Sequence, residues 1–367
     1  MRQPSMNSGM YTLLLMVLVL LGETGCQHYG PRSIVADRLP YNEAIAVSWK
    51  EQTLLNIVKL RYMDTPFFVD VPQITSGYTL QRGATGNGLI SPPFFPTATF
   101  GQQLGAGLNL QASYQDRPTI SYVPQTGSQF IRNLTSPINP GTVLFLIQSG
   151  YPADVVLDLT VDSINGLKNR SVGGGELRPA NPEFSQVART IRKAQIAGQM
   201  GIRVERDKDQ KESVVFFFHD KDADPQLIEE GAALRKALRI DPKRSDFRVT
   251  FGATAANPNE LAILSRSVLR ILQELSADVE VPVDHLAKGI AHPLGHQPDI
   301  ASSVFHVQSG CKKPCDPFVA VCYEGRWFWI EKSDFKSKRT LLSVMLVLAF
   351  ADTGAKENLP VITIQAN

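Results

Sequence analysis

The sequence predicts an α+β fold: a mixed sheet covered by helices, with an N-terminal signal and tether and an additional β-hairpin. Three observations predict it. Hydrophobic residues make up 43% of the chain and charged residues 20%, the balance of a globular protein with a core. After residue 180, helical apolar stripes alternate with short strands, which implies a sheet covered by helices on at least one side. Between Thr99 and Val123 the apolar residues instead recur at every second position. With 367 residues, one large domain or two intimate ones are the reasonable choices. A net charge of +2 leaves no electrostatic footprint for nucleic acid.

In chain order, the first element is an address. Met10 to Cys26, MYTLLLMVLVLLGETGC, is an apolar run behind Arg2. It falls short of the about 20 residues of a membrane-spanning helix and fits the apolar part of a secretory signal, residues 1–25. Its end, Glu23-Thr24-Gly25-Cys26, resembles the lipobox of bacterial lipoproteins, with Glu23 standing where that motif usually has an aliphatic residue. The resemblance implies cleavage before Cys26 and lipidation of its thiol. In such lipoproteins an aspartate after the cysteine favours the inner membrane. Gln27 therefore implies the outer membrane, facing the periplasm. Residues 26–40, with Gly30, Pro31 and Pro40, read as a tether.

Residues 41–168 form an N-terminal α+β region. Tyr41 to Tyr62 has helical spacing, with Ile45, Trp49, Leu54, Leu55, Ile57, Val58 and Leu60 on one broad face. Pro66 ends it, and Phe67 to Val71 reads as a strand. The segments Leu54 to Val71, Ile164 to Asn169 and Gly325 to Leu342 resemble a group of uncharacterised lipobox-bearing envelope proteins of Gram-negative bacteria. That resemblance implies a location and no activity.

Gly83 to Pro96, rich in Gly and Pro, reads as a loop. The hairpin 99–123 follows, with Leu104, Leu108, Leu110, Ala112 and Tyr114 on one arm, Asp116-Arg117-Pro118 as the turn, and Thr119 to Val123 as the return. Such a hairpin either lays one face on the core or contributes strands to a transmembrane barrel, the latter only within a ring of subunits. Two short helices broken by Pro137 and Pro140 follow. Val155 to Ile164 then reads as a strand with Asp154, Asp158 and Asp162 on a solvated face.

Residues 169–181, with three consecutive glycines, read as a linker before a C-terminal α+β region, 182–367. Asn181-Pro182, Asp224-Pro225 and Asn257-Pro258 each predict a helix start, an Asx cap before a proline. Between them, 202–205, 214–219 and 247–251 read as strands. His285, His292 and His296 lie in an irregular stretch. Pro293 and Gly295 prevent a helix from presenting the last two as metal ligands, and no metal or cofactor is expected. Cys311 and Cys315 read as a disulfide closing a short loop, and Cys322 as a buried thiol. Strands 318–323 and 326–330 form a hairpin about Glu324-Gly325. Trp327 and Trp329 share one of its faces, either as core beneath the helix 334–351 or as a platform stacking sugar rings. Leu359 to Ile364 closes the chain as a strand.

No G-x-S-x-G elbow, H-E-x-x-H pair, phosphate loop or dinucleotide fingerprint is present. The expected function is therefore that of a lipid-anchored, non-enzymatic envelope protein. It would act through contacts with envelope proteins in export, secretion or surface-polymer assembly. Two alternatives stay open: an oligomeric pore component donating the hairpin 99–123, and a periplasmic enzyme or glycan binder.

Overall fold

The structure, a computed structural model, describes residues 29–75, 78–87, 107–116, 118–173, 176–206, 212–219, 225–294, 304–351 and 362–365. Cys26, the signal peptide and the start of the tether lie outside these residues. The chain divides into two units, Met1–Glu51 and Gln52–Asn367.

Helix α1, Tyr29–Arg61, begins where a tether was expected and continues through Pro40. Leu54, Ile57 and Val58 are buried as the spacing predicts, whereas Ile45 and Trp49 are exposed. Strand β1, Phe68–Thr75, follows, then β2, Tyr78–Asn87, so residues 83–87 of the expected loop are strand. Residues 88–96 of that loop lie outside the described residues.

Strands β3, Gly107–Asp116, and β4, Thr119–Gln125, exist where alternation placed them but do not pair with each other. β3 pairs with β2 and β4 with β1, both antiparallel. Thr75 opposes Thr119, and three residues further along each arm Tyr78 opposes Asp116, which is one continuous register. Within the hairpin expected over 99–123, β3 and the start of β4 are therefore not partners of each other but are partnered by β2 and β1 respectively. Residues 99–106 lie outside the described residues. The foot of this ribbon is closed on both sides. The Gln52 side chain exchanges hydrogen bonds with the backbone of Val69 (2.7 and 3.2 Å), and Asn56, one turn on, does the same with Phe67 (2.8 and 2.9 Å). Two helical amides at i and i+4 thus occupy the edge of β1, a position otherwise open to another chain. β16, Ile362–Gln365, covers the free side of β4.

Helices α2, Gly127–Thr135, and α3, Pro140–Gln148, flank the two prolines as expected. The predicted strand 155–164 is instead helix α4, Ala153–Thr160, running into β5, Val161–Ile164. Val155, Val156, Leu157 and Leu159 are all buried, and a helix covered nearly all round gives no 3.6-residue signature. β5 turns back through Asn165-Gly166, φ 46° and 85°, into β6, Leu167–Lys168. Positive φ at both positions is the requirement of a type I′ turn, which Asn-Gly meets at low cost.

The expected linker does not separate two bodies. It carries the small hairpin β7, Ser171–Gly173, and β8, Glu176–Arg178, and Asn169 is fully buried. Helix α5, Pro182–Ile196, starts at its proline, but the Asn181 side chain accepts from Lys168 N (3.0 Å) rather than capping. β9, Met200–Arg206, β10, Glu212–Phe218, and β11, Asp246–Phe251, match the predicted strands, with α6, Pro225–Ala237, between the last two. The third predicted helix is overturned. Asn257-Pro258 opens a turn in which Asn257 Oδ1 accepts from Asn259 N (3.0 Å), and β12, Glu260–Ser265, follows. The helix starts later, as α7, Val268–Ser276, with Ser267 as its cap (3.2 Å to Arg270 N).

The main sheet has the order β6-β5-β12-β11-β10-β9, with β11 and β12 parallel and all other neighbours antiparallel. β12 sits between β5 and β11, so segments from both sides of 169–181 share one sheet. Helices α3 to α5 bring Leu144, Ile147, Leu157 and Ile191 against Phe216, Phe218, Leu261 and Ile263 of the sheet. After the short helix α8, Val283–Ala287, a second sheet runs β13-β15-β14: Gln308–Gly310, Arg326–Glu331 and Pro317–Tyr323. Helix α9, Phe335–Ala351, follows it. None of the helices among the described residues is long and apolar enough to cross a membrane.

Candidate functional site

Three regions bring polar or aromatic chemistry together. The first is a charged network where β12, α4 and α7 meet. The Arg266 side chain, 1% exposed, donates through Nε to Asp162 Oδ1 (2.8 Å), through Nη1 to the carbonyls of Asp158 and Leu159, and through Nη2 to that of Arg170. Arg170 in turn pairs both guanidinium nitrogens with Asp278 (2.6 and 3.2 Å). Glu274 accepts from Val172 N and from Arg270 (2.9 Å each). The aspartates read as a solvated strand face are thus divided: Asp158 and Asp162 join this network, while Asp154 faces Arg192 at 4.0 Å.

Burial pushes the Asp158 carboxyl above its ordinary range, against the pull of Arg170 and Arg266, and does the same to Glu274. Burial works against the charge of Arg170, but Asp278 more than compensates and holds it protonated. A carboxyl that binds its proton more tightly folded than unfolded adds stability below its unfolded pKa of about 4, and that stability is lost as pH rises through the folded value. Asp158→Asn, which cannot ionise, is accordingly expected to lose less stability than wild type as pH is raised from about 4. Urea unfolding across that range measures it. A wild-type-minus-variant difference that stays flat with pH would contradict it.

The second region is a cleft of about 440 Å³ lined by Arg61, Asp278, Glu280, Pro282, Phe305 and His306, among others. Arg61 donates to the His292 carbonyl (2.8 Å), while its buried Nε has no hydrogen-bond partner among the described residues. Burial lowers its pKa. His306 contacts Glu280 at 2.7 Å. Beside the cleft, Tyr62 OH and His285 Nδ1 lie 2.8 Å apart, both buried, with the tyrosine pKa pushed up to about 12 by burial. The phenol therefore keeps its proton across the physiological range. His292 is exposed. His296 lies outside the described residues. No group of three or more His, Cys, Asp or Glu among the described residues could hold a metal ion.

The third region is the outer face of the β13-β15-β14 sheet. Phe328 and Ile330 are fully buried, and Trp327 and Trp329 alternate with them on the opposite, half-buried side. Core beneath a helix therefore describes Phe328 and Ile330 and not the tryptophans. Lys313 Nζ lies 5.2 Å from the Trp327 ring centre, and Trp329 Nε1 donates to Glu331 (2.8 Å). The Trp329 ring lies over Gly310, where a Cβ would meet it at 3.1 Å. Cys311 and Cys315 are both exposed and are not bonded to each other; Cys311 Sγ contacts the Arg326 guanidinium, which also pairs with Asp284 (2.6 Å). Cys322, opposite Trp327, is exposed rather than buried, because it shares the outer face of β14.

No family model, curated protein or solved structure matches this chain. The polar clusters each tie elements of the fold together, and the Trp327/Trp329 face is half-open.

Proposed function

We propose that this chain is a lipid-anchored envelope protein that acts through protein contacts rather than catalysis. Cys26 holds it at the outer membrane with its body facing the periplasm, where it serves export, secretion or surface-polymer assembly. One observation carries the reading: an apolar run too short to span a bilayer ends in small residues and Cys26. The resemblance of Leu54 to Val71 and Gly325 to Leu342 to lipobox-bearing envelope proteins supports the same address. Contact surface is available, since Leu39, Ile45, Val47 and Trp49 are exposed on α1.

Membrane fractionation tests it. Wild-type protein is expected in the membrane pellet after washing at high salt and high pH. Cys26→Ser is expected to shift to uncleaved, unlipidated precursor or to soluble protein. Wild-type protein found in the soluble fraction, or lipid-labelled Cys26→Ser, would overturn the anchor.

A further inference from the structure

We propose that the ribbon β2–β3 enters the membrane as a two-strand contribution to a closed barrel built with further copies of this chain. The inference takes the envelope address above as given and names the partner in those contacts: a second copy of the same protein.

The cross-strand register sorts the ribbon into two faces. Tyr78, Leu80, Ala84, Leu108, Leu110, Ala112 and Tyr114 fall on one, with Gly86, Arg82 and Asp116. The other holds Thr79, Gln81, Thr85, Asn87, Asn109, Gln111, Ser113 and Gln115, with Gly83 and Gly107. It is wholly polar and wholly uncharged. Apolar-out, polar-in alternation is the signature of transmembrane barrel strands.

The sequence adds an independent observation. From Gly83 to Gln115 there is no Asp, Glu, Lys, Arg or His, the longest such run in a chain that is 20% charged. A ribbon standing in water has no physical need to exclude charge, since its tip would be solvated on both faces; a ribbon in hydrocarbon must exclude it. Arg82 lies at the boundary of this run. A lipid-facing arginine is costly at mid-bilayer and tolerated near the interface, so it sets the depth of insertion at the base of the uncharged run.

The edges decide the partner. At the foot, Gln52, Asn56 and β16 occupy the sides of the ribbon, whereas β2 and β3 pair only with each other among the described residues. Unpaired edges are prohibitive in lipid, where backbone groups have no water to bond. A ring of identical ribbons, β2 of one copy against β3 of the next, removes them all. Barrels of about 16–18 strands enclose an aqueous channel, so about eight or nine copies would form a water-filled pore lined by the polar face.

The test uses the full mature chain extracted from membranes in detergent and reconstituted into bilayers of phosphatidylethanolamine and phosphatidylglycerol, with KCl current as the readout. The detergent particle is expected to be several-fold heavier than one chain and to conduct. Gln111→Asp and Gln111→Lys, on the polar face, are expected to move the reversal potential in opposite directions under a KCl gradient. Leu110→Asp, on the apolar face, is expected to lower current at least tenfold while the soluble body keeps its unfolding transition. A monomeric, silent protein would overturn the proposal, as would a current with the same selectivity in both Gln111 variants. Protein bound through Cys26 that conducts nothing sinks the barrel and leaves the anchor; a chain that conducts without lipid on Cys26 does the reverse.

Discussion

Arg266→Ala is expected to destabilise the fold by about 3–5 kcal/mol, the usual cost of breaking a buried ion pair by removing one partner. Arg266 is among the largest fully buried side chains, and its guanidinium serves Asp162 and three backbone carbonyls at once. Truncation leaves those acceptors without a donor where water has little access. Against the about 5–15 kcal/mol by which domains are stable, the loss brings the variant close to unfolding. Arg266→Lys is expected to recover little, because a lysine cannot reproduce the planar fork that reaches several acceptors. Urea unfolding gives the value, and a loss below about 1 kcal/mol would mean that the network contributes little.

Phe328→Ala is expected to cost about 3–5 kcal/mol, whereas Trp327→Ala, its neighbour with the larger ring, is expected to cost less than about 1.5 kcal/mol. Phe328 is fully buried and packs edge-on to Tyr62 at 6.0 Å, so its loss opens a cavity between the small sheet and the end of α1. Trp327 is half-buried, with Lys313 over its ring. Urea midpoints of the two variants compare the faces directly. A larger loss for Trp327 would reverse the assignment of core and outer face.

Much of the fold is legible in the sequence, and the errors have physical causes. The 202–205, 214–219 and 247–251 strands and the Glu324-Gly325 hairpin follow local rules that the fold does not override, and the helix after Asn181 starts at its proline although the Asn181 side chain is drawn to Lys168 N instead of capping. The Asn257-Pro258 signal failed because an Asx-Pro turn can also introduce a strand, and Leu261, Ala262 and Ile263 are buried in succession, so no alternation marks β12 as a strand. Residues 153–160 misled because a helix buried nearly all round looks like any apolar run.

The ribbon was half legible. Apolar residues keep even positions from Leu108 through Tyr114 to Ile120 and Tyr122, straight across Asp116-Arg117-Pro118. Unbroken parity was the available signal that these residues continue one arm instead of reversing it. The partner arm carried too many glycines and polar residues to announce itself as a strand. Side-chain charge networks were not legible at all. Arg170, Arg266, Glu274 and Asp278 are over 100 residues apart at the extremes, and only the packing of α7 beside β7 brings them together.

The central claim is that an acyl chain on Cys26 holds this body at a membrane. The intact mass of protein purified from membranes tests it most directly. The account predicts a chain beginning at Cys26 with the added mass of a diacylglyceryl group and an amide-linked fatty acid. A chain that still carries its leader, or one whose Cys26 is a free thiol, would contradict it.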